Sequence, residues 1–528
     1  MDSHDSPNDA AAARWRDLAL FVTIFIVALS IRLFLITTTE FDGLYGQDAY
    51  AYYAFALELR DGLAHGQMPP PFFWSLGYPS LLAAGTALLG SSVAVGQMIS
   101  IFMGAGCAAL TSALARQIGC GYVASGFAGL VVAFSGQAIQ SSIVLMSDIP
   151  ALFWALVSAN TLLKYISASK EQKSLFTLLL ITCLALLFAI LTRWLYLVLV
   201  PPFLLALLMQ RPPLRHVVVA LLIVLPFIAL QTAHSLTSPY PTLDHPWVTG
   251  WSPQHYFQSS FDTPDGHAEY ALINAVFYAQ PFYAMPYLTP LLTPFIMIGI
   301  IRVLNRRDTK DRETQRKRSS VFSTPLRVQL WAVPVLISGW VLLPFLFLAG
   351  IPYQNIRFPL ILLPPVAILC ARGIEIPGRQ AHQEQASILF VSRLLSKLFA
   401  LFLFVSMLLL ARDGITYTQA FIAWQVRDKT VVFWVRYHLP EDATLYTHGL
   451  SPALRHYTQI EIHELYDETP QSLNTTQHPG AYLLINGWQI ANQWAGLAPG
   501  VAVDWLLEHR TLRRIGRMSD YTLYLVSP

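Results

Sequence analysis

Asp42 and Asp48 lie in "FDGLYGQDAYAYYAFA", residues 41–56, directly after the first long apolar run of the chain. Asp148 in "LMSDIP", Arg193 in "LTRWLY" and Arg357 in "NIRFPL" each stand among apolar neighbours much further along. A carboxylate so placed could take a proton from a hydroxyl as general base. An arginine offers a planar fork of donors that matches phosphate with two hydrogen bonds. Together they suit a substrate whose lipid chain stays in a bilayer while its phosphate-linked sugar sits at the interface. A departing lipid phosphate is already an anion, so it needs cations more than a proton. One carboxylate and one or two arginines could suffice.

The elements that must position these groups are set by composition. Of 528 residues, 54% are hydrophobic and 12% charged, roughly half the charged share of an ordinary soluble domain. That marks an α-helical polytopic membrane protein, because runs of about 18 apolar residues are long enough to cross a bilayer. After an uncleaved anchor over about 18–37, spans are expected near 92–114, 122–141, 149–167, 174–191, 194–210, 214–232, 284–303, 328–349, 354–371 and 394–411, about eleven in all. A net charge of +3 gives no reason to expect nucleic acid as a partner. Cys107, Cys120, Cys183 and Cys370 have neither disulfide-framework nor zinc-ligand spacing.

Basic residues fix the expected orientation. Arg14 and Arg16 precede the first span, putting residues 1–17 in the cytoplasm. Arg116, then Lys164, Lys170 and Lys173, then Arg211 and Arg215, then the basic loop 302–327 all fall on that same side. The loops between are then extracytoplasmic: 38–76, 147–150, 192–193, the long loop 233–283, and "GIPYQNIRF". Every candidate for chemistry therefore sits at an outer membrane end. The membrane module is expected over 18–412. Residues 413–528 hold no spanning run and read as a small extracytoplasmic α/β domain, with strands at "ATLYTH", "AYLLING" and "YTLYLVSP" and helices at "SPALRHYT" and "GVAVDWLLEHR".

Each candidate has a plainer reading. Arg32 is expected to be a snorkelling anchor, and Arg193 and Arg357 read equally as anchors or as phosphate ligands. Asp148 could cap the helix that begins at "DIP", or it could act in chemistry. Asp42 in "FDGLYG" reads as turn chemistry, whereas Asp48 opens a helix whose dipole would hold it ionised. Tyr45, Tyr50, Tyr52 and Tyr53 form an interfacial aromatic belt or, less commonly, a surface on which a sugar stacks. His255, Asp262, Asp265, His267 and Glu269 could hold a cation, but "DTPDG" is ordinary turn sequence. "NAVFYAQPFYAMPYL" looks like an amphipathic segment lying on the membrane surface.

"FDGLYGQDAYAYYAFALELRDG" followed by "PFFWSLGYPSLLAA" resembles the first outer loop of bacterial members of the dolichyl-phosphate-mannose protein mannosyltransferase-like group within the GT-C glycosyltransferases. "LTRWLYLVLVPP" is similar to that family's basic residue between two central spans, and "NIRFPLILLPP" to its late span. The resemblance implies a GT-C fold with an α/β cap and makes Asp48 the catalytic carboxylate. It makes Arg357, and more weakly Arg193, ligands of the donor phosphate, with Asp42, Asp148, Tyr50 and Tyr353 in support. Metal use varies across the superfamily, so a divalent ion held by Asp48 and Asp148 stays open. The expected activity is transfer of a sugar, with inversion, from a polyprenyl-phosphate donor to a hydroxyl on a lipid, glycan or protein at the outer face of a bacterial inner membrane. The rival is a transporter or flippase of the same lipid-linked sugar, which the lack of an internal repeat disfavours.

Overall fold

The computed structural model describes residues 7–67, 70–168, 175–237, 246–263, 266–304, 324–375, 386–475 and 480–527. Among the described residues, seven helices are long and apolar enough to cross a membrane: Ala11–Thr39, Val93–Gln117, Asp148–Ser167, Leu175–Thr192, Leu214–Thr237, Trp331–Gly350 and Ser396–His438. An eighth is a pair, Tyr122–Phe134 and Gly136–Ile143, bent by 56°. Shorter apolar helices at Trp194–Leu208, Pro290–Leu304 and Phe358–Ile374 fill the other expected spans. Most of the basic loop expected at 302–327, residues 305–323, lies outside the described residues.

The site depends on the first eight helices: α1 (Pro7–Thr39), α2 (Asp48–Ala64), α3 (Gly77–Leu89), α4 (Val93–Gln117), α5 (Tyr122–Phe134), α6 (Gly136–Ile143), α7 (Asp148–Ser167) and α8 (Leu175–Thr192). Small residues let α4 sit at their centre, in contact with α1, α5 and α7. The break between α5 and α6 leaves backbone carbonyls without helical partners inside the bundle. Arg32 of α1, with no exposed surface, donates to one of them, Ala133 O, and to Ala138 O of α6, both at 3.4 Å, and to Ala28 O at 2.9 Å. The anchor expected at Arg32 is thus a buried strut, because a broken helix supplies the acceptors that a charged group needs at membrane depth.

Helix Pro290–Leu304 crosses helix Leu363–Ile374 at two glycines. A Cβ on Gly299 would overlap the Leu369 carbonyl, and one on Gly373 would overlap that of Phe295. Gly373→Ala is expected to force the helices apart at a cost of about 1–3 kcal/mol. The thermal midpoint of the detergent-solubilised protein measures this, and an unchanged midpoint contradicts so close a crossing.

The "NAVFYAQPFYAMPYL" segment departs from its surface reading. It forms a short helix, Asn274–Tyr278, and turns whose Asn274, Tyr278 and Tyr287 are wholly buried. Tyr278 donates to the Tyr353 carbonyl and Tyr287 to that of Ile356, so polar ring tips bind this segment to the loop before Arg357.

The long helix Ala386–His438 runs on past residue 412, and the first strand of the terminal domain begins only at Thr444. After the hairpin β1 (Ser260–Thr263) and β2 (Gly266–Glu269) in the long loop come β3 (Thr444–Thr447), β4 (Glu461–Glu464), β5 (Tyr482–Asn486), β6 (Thr511–Met518) and β7 (Tyr521–Ser527). The last five form one sheet in the order β4-β3-β5-β7-β6, parallel across β4-β3-β5 and antiparallel across β5-β7-β6. Helices Ser451–Tyr457 and Ala498–His509 match the expected helical stretches.

Candidate active site

Asp48 is the first residue of α2, and the helix is held in place by its apolar side chains. Ala49, Tyr50, Tyr52, Tyr53, Phe55, Ala56 and Leu59 are buried. Tyr52 packs on Trp74 and Tyr78, and Phe55 stacks on Phe72 at 4.0 Å, so the proline-rich turn closes over α2. The loop before α2 is tied to the α6–α7 link: Leu145 N donates to Gly43 O at 3.0 Å, and Gln97 Nε2 donates to Phe41 O at 2.8 Å and Ile143 O at 3.0 Å. Gly43, at φ +85°, is needed there, since a Cβ would lie 2.7 Å from Leu145. These ties bring the starts of α2 and α7, and with them two carboxylates, to the same end of the bundle.

Arg357 lies between the two. Its Nη2 donates to Asp48 Oδ2 at 3.1 Å, and its Nη1 is 3.7 Å from Asp148 Oδ2. Asp148 Oδ1 pairs with Arg193 Nη1 at 3.1 Å. The α7 N-terminus has no side-chain cap, so the Asp148 carboxylate serves the arginines rather than its own helix. Asn355 Oδ1 accepts from both the backbone N and the Nε of Arg357, at 3.0 and 3.3 Å, which aims the guanidinium. Arg193 also donates to Ser147 Oγ and lies 4.9 Å from the centre of the Phe358 ring. The Asp148 side chain is 3% exposed, Arg357 11%, Arg193 14% and Asp48 32%. Asp48 is therefore the carboxylate that a substrate can reach.

Asp42 and Tyr50 are placed elsewhere. Asp42 Oδ1 accepts from Leu44 N in the turn expected of it, while Oδ2 pairs with Lys429 Nζ at 2.6 Å and accepts from the Tyr457 hydroxyl. Burial and the hydrogen bond to Asp42 push the Tyr457 phenol up, so it stays protonated and donates. Tyr50 packs against His456 and Tyr457. These contacts latch the first loop to the long helix and the terminal domain. Asp42→Ala is expected to cost about 1 kcal/mol of stability while transfer stays within a few-fold of wild type, as checked by the thermal midpoint and by activity. A loss of transfer as large as that from removing Asp48 would instead put Asp42 in the chemistry.

A cavity of about 1110 Å³ opens over the Asp48–Arg357–Asp148–Arg193 cluster, between the bundle end and the terminal domain. Tyr353 lines it and stacks against Trp247 with ring centres 5.8 Å apart. Asp262 of the long loop also lines the cavity and pairs with His267 at 2.6 Å in the β1–β2 hairpin, while Asp265 lies outside the described residues. Among the described residues, no group of three or more His, Cys, Asp or Glu side chains is placed to hold a metal ion. Asp48 and Asp148 are both engaged by the guanidinium between them, so a cation bridging these carboxylates would have to displace Arg357.

Sequence reasoning named the charged groups and missed their supports. Ser147 adjoins Asp148 and Asn355 lies two residues before Arg357, so proximity in sequence alone could have suggested them. His448, Glu464, Asp467 and Arg455, which line the opposite wall, are separated from the bundle residues by long stretches of chain, and no spacing signal connects them.

A helical membrane bundle with a carboxylate–guanidinium cluster at one end, roofed by an α/β domain, is the architecture of the GT-C fold. Residues 20–225 match the family model described as dolichyl-phosphate-mannose-protein mannosyltransferase. The whole fold is similar to ArnT from Cupriavidus metallidurans in the apo state, with TM-score 0.58 and 13% identity over 98% of each chain. It is likewise similar to the same enzyme bound to undecaprenyl phosphate, with TM-score 0.53, 14% identity and 98% coverage of each. The oligosaccharyltransferase AglB from Archaeoglobus fulgidus, in complex with an inhibitory peptide and a dolichol-phosphate, aligns over 97% of this chain and 74% of its own, with TM-score 0.55 and 11% identity. No curated protein matches the sequence.

Proposed function

We propose that the chain moves a sugar from a polyprenyl-phosphate carrier to an acceptor hydroxyl on the outer face of the inner membrane, inverting the anomeric centre. The observation that carries this is the pairing of Asp48, the exposed carboxylate of the cluster, with Arg357 at 3.1 Å on the floor of the cavity. Donor phosphate would compete with the carboxylates for the guanidinium forks of Arg357 and Arg193, freeing an Asp48 oxygen. The acceptor oxygen attacks C1 opposite the phosphate. As the new C1–O bond forms, the C1–O(phosphate) bond breaks and its electron pair leaves with the polyprenyl phosphate. The acceptor proton passes to Asp48 and then to solvent. Asp148, held by both arginines, acts as their fixed counter-charge.

The outward orientation is supported by charge. The end of the bundle far from the cavity carries Arg116, paired with Asp17, together with Arg302 and Arg372. Basic residues favour the cytoplasmic side. A polyprenyl-phosphate sugar pool labelled in the sugar and presented to the purified protein in nanodiscs, without ATP or an ion gradient, tests the reading. Labelled sugar should leave the lipid for an acceptor, with release of polyprenyl phosphate. In proteoliposomes, movement of intact donor across the bilayer without such release would instead identify a flippase.

A further inference from the structure

The roof of the cavity is chemically unlike its floor. His448, which follows β3, is 9% exposed, and its Nδ1 lies 2.7 Å from Oε1 of Glu464 at the end of β4. Glu464 is itself largely buried, and in the neutral imidazole the carboxylate selects the tautomer in which Nδ1 carries the proton and donates. His448 Nε2 then keeps its lone pair, makes no hydrogen bond among the described residues, and belongs to a side chain that lines the cavity. Trp494 stands edge-on to the imidazole with ring centres 4.6 Å apart, an apolar surface beside an aimed acceptor atom. Asp467 lines the same wall, and Arg455 there donates to the Ile462 carbonyl.

We propose that the His448–Glu464 pair and Trp494 form the acceptor subsite, and that it takes the uncharged, hydroxyl-rich end of a glycan. This rests on the glycosyl-transfer reading of the cavity and adds the acceptor class. The lone pair on Nε2 and the carboxylates of Glu464 and Asp467 accept hydrogen bonds, and sugar hydroxyls donate them. The indole offers a face or edge to the C–H surface of a pyranose. A phosphorylated acceptor would meet carboxylates on this wall, with Arg455 already engaged by a backbone carbonyl. Anions are instead served by Arg357 and Arg193 on the floor. A serine or threonine side chain would bring one hydroxyl to a wall that has several acceptors. His448 is thus a binding and positioning residue, distinct from the base at Asp48.

The test is a printed array carrying neutral oligosaccharides, their phosphorylated counterparts and hydroxyl-bearing peptides, probed with the full-length protein in nanodiscs. Neutral oligosaccharides should be retained about tenfold better than phosphorylated ones, the size of effect expected of one or two selective hydrogen bonds. H448N, whose amide still donates to Glu464 but lacks the accepting nitrogen, should lose that retention with an unchanged thermal midpoint. E464Q should weaken retention by releasing the tautomer, and D48N should retain neutral glycans like wild type while failing to transfer. Preference for phosphorylated glycans or for peptides, no retention of any probe, or equal retention by H448N and E464Q overturns the acceptor assignment. Full transfer by D48N overturns the base assignment alone.

Discussion

Asp48→Asn slows glycosyl transfer by about 10²–10⁴-fold, the usual worth of a positioned general base. Affinity for polyprenyl phosphate stays close to wild type. The amide has the same shape and can still occupy the start of α2 beside Arg357, so the fold and the cation cluster persist. The variant loses the lone pair that takes the acceptor proton. The expected kinetic signature is therefore a fall in kcat with little change in the donor KM, measured in single-turnover assays with labelled donor. Asp48→Glu pushes the carboxylate further into the cavity and is expected to recover part of the rate. Equal rates for wild type and Asp48→Asn would remove Asp48 from the reaction.

Arg357→Ala has a broader effect because one guanidinium serves three groups. It pairs with Asp48 at 3.1 Å, neutralises Asp148 at 3.7 Å, and is the proposed ligand of the leaving phosphate. Asp148 Oδ2 is buried without a hydrogen bond, so Arg357 is the charge that compensates it. Loss of a donor aimed at the developing charge of a leaving group costs about 10²–10³ in kcat. Donor KM is expected to rise as well, because the phosphate contact is present in the ground state. Arg357→Lys restores the charge but not the fork, and should recover stability more fully than activity. If Arg357→Ala lowered the thermal midpoint while the folded fraction kept wild-type kcat and donor KM, Arg357 would be a structural strut only.

How much of this could be read from sequence depended on how local the physics was. Hydrophobic run length placed the membrane segments, and short alternating or apolar pieces at "ATLYTH", "AYLLING" and "YTLYLVSP" placed three strands, because both signals lie within one element. β4 at "EIHE" and β6 at "TLRRIGRM" escaped notice, since polar residues dominate them and the neighbouring strands decide their state. Arg32 looked like an anchor because its acceptors are created by a helix break about a hundred residues away. Asp48 was distinguishable from Asp42 by its place at a helix start. Its partner Arg357, 309 residues on, was not legible as a partner, and neither was the link from Asp42 to Lys429 across 387 residues. The charged groups were visible in sequence, but their pairings belong to tertiary structure.

Release of polyprenyl phosphate from labelled donor, monitored in nanodiscs for wild type, Asp48→Asn and Arg357→Ala in the absence of ATP, tests the central claim most directly. The account predicts acceptor-dependent release by wild type, with loss of at least about 100-fold in both variants at unchanged folded fraction. Release that proceeds at the wild-type rate in both variants would contradict it.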